Sequence, residues 1–461
     1  MNLPDLPIEK DDDDLLNYKH HAKKVQKLIQ NTSDIEENLI IGIYGSWGYG
    51  KTSYLNLINR NLDLFPKGKG KGIMKFHFNP WRYNSEDEIL FEFFEGLSKK
   101  LKASQENSLK KAGQFIKSMS RYMKAVKLSA TIGIPKSYNT EVTFEPGEIL
   151  RLMGEDLIGE NQGIEELKTE INQLLSQADF KIVITIDDID RLDREEIYRV
   201  LKIIKLNADF KNVIYIVALD KEQVSKAIKN RFGDNKIDGE KFLEKIVNIP
   251  IYLPKVEKSD LKVFFQHKLN KVRTLLNYGM NHSKEQEFQE ILHKSFNLVS
   301  FISPREIIRV LNSFFVSAFS IGNEVNLNDL FLVEYLKVTQ DEIYEKLKIQ
   351  NFSKGIYNIT HRIYYKDLSD KIDFSSKTEI IEYLFPKNQG TIGGRDIESE
   401  KLNKELRINH KEHYDKYFSY HMVGKISKNI LVTFIKAINE NDFETALVEQ
   451  KNLLKNLVST F

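Results

Sequence analysis

Two short segments of this chain bring together residue types that handle phosphate and a divalent cation. Residues 40–53 read Ile-Ile-Gly-Ile-Tyr-Gly-Ser-Trp-Gly-Tyr-Gly-Lys-Thr-Ser. Gly45, Gly50, Lys51 and Thr52 satisfy the phosphate-loop spacing G-x-x-x-x-G-K-[ST]. Glycines let successive backbone N–H groups turn inward around an anion, and a following helix adds the partial positive charge of its N-terminus. The expected cradle is Gly45, Ser46, Trp47, Gly48, Tyr49, Gly50, Lys51, Thr52 and Ser53. Lys51 is expected to reach the β- and γ-phosphates, and the Thr52 hydroxyl to bind Mg²⁺.

The second segment, residues 181–191, reads Lys-Ile-Val-Ile-Thr-Ile-Asp-Asp-Ile-Asp-Arg. A β-branched apolar run ending in acid describes a buried parallel strand that delivers carboxylates at its C-terminal end, where open α/β sheets bind ligands. Asp187 is expected to hold Mg²⁺ through water, and Asp188 to orient or deprotonate an attacking water. Taken alone, either segment could be bland: a glycine turn with a stray lysine, or a strand ending in a solvated acidic turn. Both in the expected order, each in the right local context, favour the site.

The surrounding pattern supplies the elements that would position these residues. Residues 20–30 have helical spacing and lead into the core. Residues 39–44 read as the first strand, 54–61 as the helix after the loop, and 73–78 as a strand ending in Asn79-Pro80-Trp81. Residues 88–101 form an amphipathic helix, 195–206 another helix, and 212–219 a buried strand ending at Asp220. The last core strand is 247–253, closed by Pro254. Strands alternating with helices give an α/β fold with a doubly wound parallel sheet. From residue 258 onward the spacing is helical, over 260–278, 285–296, 303–319, 327–351 and 429–438, and 388–395 reads as an exposed loop. The expected divisions are a lead-in over 1–30, the core over 31–256, and helical regions over 257–345 and 346–461.

The stretch from the phosphate loop to the acid strand is longer than two βα units need, which implies an insertion over about 104–163. Its approach and first half carry Lys99, Lys100, Lys102, Lys110, Lys111, Lys117, Arg121, Lys124 and Lys127, with Phe115, Met119, Tyr122, Met123 and Val126 on one helical face. A basic amphipathic helix of this kind suits an anionic membrane surface or nucleic acid. An ordinary helix with its apolar side on the core has the same pattern, and that reading is the favoured one.

Composition narrows the classes further. The chain has 461 residues, a net charge of +2 and no cysteine. Disulfides, thiol catalysis and cysteine-ligated zinc are thereby excluded, and the balance of charge does not advertise nucleic-acid binding. The opening residues are acidic and polar, unlike a signal peptide, and no run of about 18 apolar residues exists, so no transmembrane helix is expected. A cytoplasmic location is the expectation, with peripheral contact at a membrane through the basic insertion as the alternative.

Taken together, these motifs resemble the KAP P-loop NTPases. The likeness rests on the loop with its internal Trp47, on Phe78-Asn79-Pro80-Trp81, on Asp187-Asp188-Ile189-Asp190-Arg191, on residues 241–254, and on Ser303-Pro304-Arg305-Glu306 through Arg309-Val310-Leu311-Asn312. The resemblance covers about residues 15–320. It implies a RecA-like core followed by an all-α lid, ATP and Mg²⁺ as ligands, ATP hydrolysis, and a place in bacterial antiphage defence. Many members of that family carry transmembrane helices where this chain has its basic insertion.

The resemblance also implies roles for single residues. Asp220 falls where a sensor group would touch the γ-phosphate or attacking water, though it could equally cap the helix that follows. Arg305 would be a lid arginine reaching the phosphates. Arg191 and Arg231 are candidate fingers for a neighbouring copy, each with an intramolecular salt bridge as the plainer reading. Trp81 reads as a buried core aromatic. In the tail, Arg407 and His413, with His410, Tyr417 and His421 nearby, have a spacing seen in some small helical ribonucleases, a weak signal against a plain polar helix. The resulting expectation is an ATP-driven switch or assembly motor working as a homo-oligomer or with an effector subunit. The rivals are a non-hydrolysing ATP-gated scaffold and an ATP-regulated nuclease component.

Overall fold

A computed structural model describes residues 3–32, 38–60, 62, 72–131, 164–229, 239–276, 282–350, 361–369, 372–373, 378–387 and 397–419. The chain divides into two compact units, one of residues 7–255 and one of residues 1–6 with 256–461.

The first unit is built on five parallel strands: β1 (Leu39–Tyr44), β2 (Gly72–Phe78), β3 (Phe180–Ile186), β4 (Val213–Leu219) and β5 (Ile249–Tyr252), in the order β2-β3-β4-β1-β5. The β-branched runs of β3 and β4 are buried almost throughout, as strands covered on both faces must be. β5 is an edge strand, which is why it tolerates Pro250 opposite Gly42. It is shorter than the apolar run suggests, because the Val247 N–H donates to Leu243 at the end of the preceding helix and Asn248 pairs with Ile40 through both its backbone and its side chain.

Helices cover the sheet. α1 (Tyr18–Asn31) packs on α2 (Lys51–Arg60), which starts at the lysine of the phosphate loop. α3 (Glu86–Lys102) begins at Ser85, whose hydroxyl accepts from the Glu88 N–H. α4 (Asn107–Thr131) lies against α3 and against the helix Ile164–Ser176. On one face Ile182, Ile184, Ile186, Tyr215, Val217 and Leu219 join a continuous core with Phe93, Leu97, Leu109, Ile116 and Met119 from α3 and α4.

This packing settles how the first half of the insertion is used. Leu109, Ala112, Ile116 and Met119 are fully buried and Phe115 packs beside them, so the apolar stripe of α4 faces the core up to Met119. Lys99, Lys100, Lys102, Lys110 and Lys111 remain exposed at the α3–α4 corner. The side chains of Tyr122, Met123, Lys124, Val126 and Lys127 lie outside the described residues, as does 132–163. Among the described residues no helix is long and apolar enough to cross a membrane.

The second unit is helical. Its long helices are Lys258–Leu275, Pro304–Ile321 and Leu327–Thr339, around a core of Phe265, Phe296, Phe314 and Phe331. The helix Pro304–Ile321 explains most of the Ser-Pro-Arg-Glu signature locally. Ser303 accepts from the Glu306 N–H, Pro304 takes the first helical position, and the Glu306 carboxylate accepts from the Ile302 N–H. Asn312, at the far end of that signature, clamps the N-terminal segment by accepting from the Leu3 N–H at 2.6 Å and donating to the Leu3 carbonyl at 2.9 Å. The expected helix 429–438, the loop 388–395 and His421 lie outside the described residues.

The paired Arg407 and His413 of the tail are used structurally. Arg407 donates through Nε to Asp329 at 2.7 Å, and Asp329 is fully buried and also accepts from the Ile408 N–H. His413 is buried, with its pKa pushed down to about 4 by burial and by Lys416, and Nε2 lies 2.8 Å from the Asn403 side-chain oxygen. The two side chains therefore do not form the acid–base pair that their spacing suggested. Removing one partner of a buried ion pair strands the other charge, at a cost of about 3–5 kcal/mol. Arg407→Ala is expected to lower the denaturation midpoint of the C-terminal unit accordingly in urea unfolding followed by circular dichroism. Parental stability would show that the pair is not buried as described.

Candidate nucleotide site

The phosphate loop runs from the end of β1 into α2. Gly48 and Gly50 take φ of 85° and 83°, a conformation that side-chain-bearing residues rarely adopt. The loop is anchored from outside by the Tyr18 hydroxyl, which donates to the Tyr49 carbonyl at 2.9 Å, and by the Ser53 hydroxyl, which accepts from the Ile8 N–H at 3.1 Å. Trp47 stands half exposed at the tip. Lys51 is buried, and its ammonium donates to Gly45 O at 3.0 Å, to Ser46 O at 3.5 Å and to the Asp190 carboxylate at 2.9 Å.

Parallel strands place the ends of β1, β3 and β4 at one edge of the sheet, so the acids of β3 arrive opposite this loop. Asp187 is only 2% exposed, and the Thr52 hydroxyl hydrogen-bonds to its carboxylate. Burial pushes the Asp187 carboxyl above the usual range, the Thr52 bond lowers it, and the neighbouring Asp188 raises it again. Thr52 and Asp187 are thus adjacent oxygen donors, one neutral and one acidic, in a buried place where a carboxylate pays for its charge. That donor set fits Mg²⁺, a hard cation that takes oxygen ligands and would relieve the burial penalty.

Asp188 is held differently. Its backbone is left-handed, with φ of 60°. One carboxylate oxygen accepts from the Asn79 amide at 2.8 Å and the other from Arg191 Nε at 2.8 Å. The Asn79 side-chain oxygen in turn accepts from the Trp81 backbone N–H at 3.0 Å, and the Arg191 guanidinium lies over the Trp81 ring, 4.6 Å from its centre. Trp81 is 54% exposed, which corrects its reading as a buried core aromatic: its ring is a platform for a cation. Arg191 is engaged within its own chain.

Asp220 lies at the end of β4, nearly buried, and accepts from the Glu222 and Gln223 N–H groups at 3.1 and 3.2 Å. It caps the helix Lys221–Lys229, and it lines a cavity of about 770 Å³ with Gly45, Ser46, Tyr49 and Tyr252. Arg305 belongs to the C-terminal unit, where its Nε donates to Asp5 at 2.7 Å. Arg231 lies outside the described residues. Sequence reasoning gave no specific role to Asn79 or to the pairing of Asp190 with Lys51. The only available signal was their place inside the phosphate loop, the Phe78–Trp81 segment and the acid run.

The parallel five-stranded sheet, the glycine loop opening α2 and the acids ending β3 define a P-loop NTPase fold. The description "KAP family P-loop domain" matches residues 18–319, and the chain belongs to that family. The chain is 25% identical over 359 residues to the phage T7 exclusion protein of Escherichia coli (strain K12), a match covering 74% of this chain. It spans about half, 47%, of that relative's length. Among solved structures, the Aeropyrum pernix ORC2 protein in ADPNP–ADP complexes has a TM-score of 0.32 at 13% identity, covering 75% of this chain and 73% of its own. The Aeropyrum pernix ORC1 protein in complex with DNA has a TM-score of 0.32 at 10% identity, covering 87% and 86%.

The raised Asp187 pKa gives a stability test. A carboxyl whose pKa is raised on folding binds its proton more tightly in the folded chain, so stability falls as pH rises from the ordinary value of 3.8 through the raised one. Asp187→Asn removes that penalty at neutral pH. The ligand-free variant is expected to melt a few degrees above the parent at pH 7, about 2–4 °C per kcal/mol recovered. The gap should close as pH falls below the ordinary carboxylate range. A lower melting temperature at pH 7 would contradict the assignment of a buried, costly charge.

Proposed function

We propose that this protein binds ATP with Mg²⁺ at the phosphate loop and hydrolyses it, as a switch or assembly motor in antiphage defence. One observation carries the reading: Asp187 is buried against Thr52 while Asp188, one residue later, is held in a separate polar bracket. Two neighbouring carboxylates with different surroundings suit two different jobs.

In this reading the loop N–H groups and Lys51 hold the phosphates, and Lys51 exchanges Asp190 for them. Thr52 and Asp187 hold Mg²⁺, which when bound neutralises charge on the phosphoryl oxygens. Asp188 orients the attacking water and takes its proton. Asp220 serves as the sensor beside it, from its capping position. Arg305 is the proposed lid arginine, and serving phosphates would require it to leave Asp5. The defence role is supported by the likeness to the phage T7 exclusion protein. Self-assembly or an effector subunit, a cytoplasmic location, and electrostatic contact with an anionic surface through the exposed α3–α4 lysines belong to the same proposal.

Two substitutions separate binding from chemistry. Lys51→Ala is expected to weaken ATP binding in calorimetry and abolish phosphate release. Asp188→Asn keeps the shape, should bind Mg²⁺–ATP as the parent does, and should turn over at least about a hundredfold more slowly. Equal ATP affinity in the lysine variant would remove the site. Undiminished turnover in the asparagine variant would remove Asp188 as the base.

For the defence role, cells carrying the intact locus are expected to resist phage that plate normally on cells carrying Lys51→Ala. Equal plaque counts on both across a broad phage panel would leave the biochemical proposal without that role.

A further inference from the structure

Asp188 is over-determined. A non-glycine residue in the left-handed region is uncommon, and its backbone holds that conformation only when its surroundings enforce it. Here three bonds do so. Its N–H donates to the Asp187 carboxylate at 2.9 Å, and its two carboxylate oxygens accept from Asn79 and Arg191, each at 2.8 Å. Two of those partners meet again at Trp81, which donates its backbone N–H to the Asn79 side-chain oxygen and offers its ring to Arg191.

The closed circuit Asp188–Asn79–Trp81–Arg191 links the end of β2 to the end of β3. Arg191 and Trp81 are both partly open to solvent, so neither is there to fill the core. A guanidinium offers a flat donor edge and a flat face at once. Its edge meets the carboxylate while its face rests on the indole. An ammonium can do the first and not the second with the same geometry.

We propose that Arg191, steadied on Trp81, is a positioning residue for Asp188: it fixes the carboxylate's direction. This deepens the hydrolytic reading above and rests on it. Arg191 thereby works within its own chain, on the proposed base. Each carboxylate oxygen keeps a further lone pair after accepting one bond, so a bracketed Asp188 still has room to accept a hydrogen from water.

The test uses the full chain. Arg191→Ala is expected to lower kcat about 10- to 100-fold, the scale of a misdirected catalytic group, with KM and ATP affinity unchanged. Arg191→Lys should recover part of the loss. Trp81→Phe should stay near the parent, and Trp81→Ala should fall partway toward Arg191→Ala. In an Asp188→Asn background, Arg191→Ala should have no further effect. A kcat that is unchanged or higher in Arg191→Ala would overturn the proposal, as would a fall in ATP affinity matching the fall in kcat.

A second measurement does not depend on turnover. The chain has two tryptophans, so in a Trp47→Phe background Trp81 is the only indole emitter. Arg191→Ala and Asp188→Asn should each shift its emission, the first by removing the stacked cation and the second by loosening it. If Asp188→Asn leaves the Trp81 emission unmoved, the two residues are not coupled and the proposal fails. If the emission shifts as expected but Asp188→Asn retains turnover, the hydrolytic reading fails instead, and positioning for catalysis goes with it.

Discussion

Three carboxylates leave the end of β3 within four residues, and like charges that close must each be compensated before the loop holds one shape. The structure gives each a different kind of partner. Asp187 has the Thr52 hydroxyl, Asp188 has an amide and a guanidinium, and Asp190 has the Lys51 ammonium. These partners come from the first turn of α2, the end of β2 and the turn after β3. Compensating the acids therefore fastens three segments together at the candidate site.

The rest of the first unit makes that meeting unavoidable. A parallel sheet in the order β2-β3-β4-β1-β5 presents every strand's C-terminus at one edge. β4 separates the phosphate loop from the acid strand, and its own terminal acid is turned into a helix cap. The aromatic cluster of Phe76, Phe78, Tyr83 and Phe93 fixes the end of β2, from which Asn79 and Trp81 project. α4 thickens the core behind this edge, so the first half of the insertion contributes packing before it contributes anything else.

Much of this was readable in the residues because it depends on neighbours in sequence. β1, the loop, the start of α2 and the acids of β3 are short patterns in which each residue's role follows from the one beside it. Partners distant in sequence were not readable. Trp81, next to Pro80 and an aromatic strand, reads as core, and only Arg191, brought to it by strand pairing, makes it a platform. Arg407 and His413 carry a suggestive spacing, while the buried Asp329 that claims the arginine is far upstream. The α4 stripe has the same periodicity whether it faces a membrane or the core, and its packing against α3 decides between them.

We propose that the loop and the three acids form one Mg²⁺–triphosphate site with a division of labour among the carboxylates. The most direct measurement is a crystal structure of the full chain with Mg²⁺ and a non-hydrolysable ATP analogue. The cation is expected between Thr52 and Asp187, with Lys51 turned from Asp190 to the phosphates and Asp188 still bracketed by Asn79 and Arg191 without ligating the metal. A cation held by Asp188 or Asp190 in place of Asp187, or phosphates bound away from the loop, would contradict it.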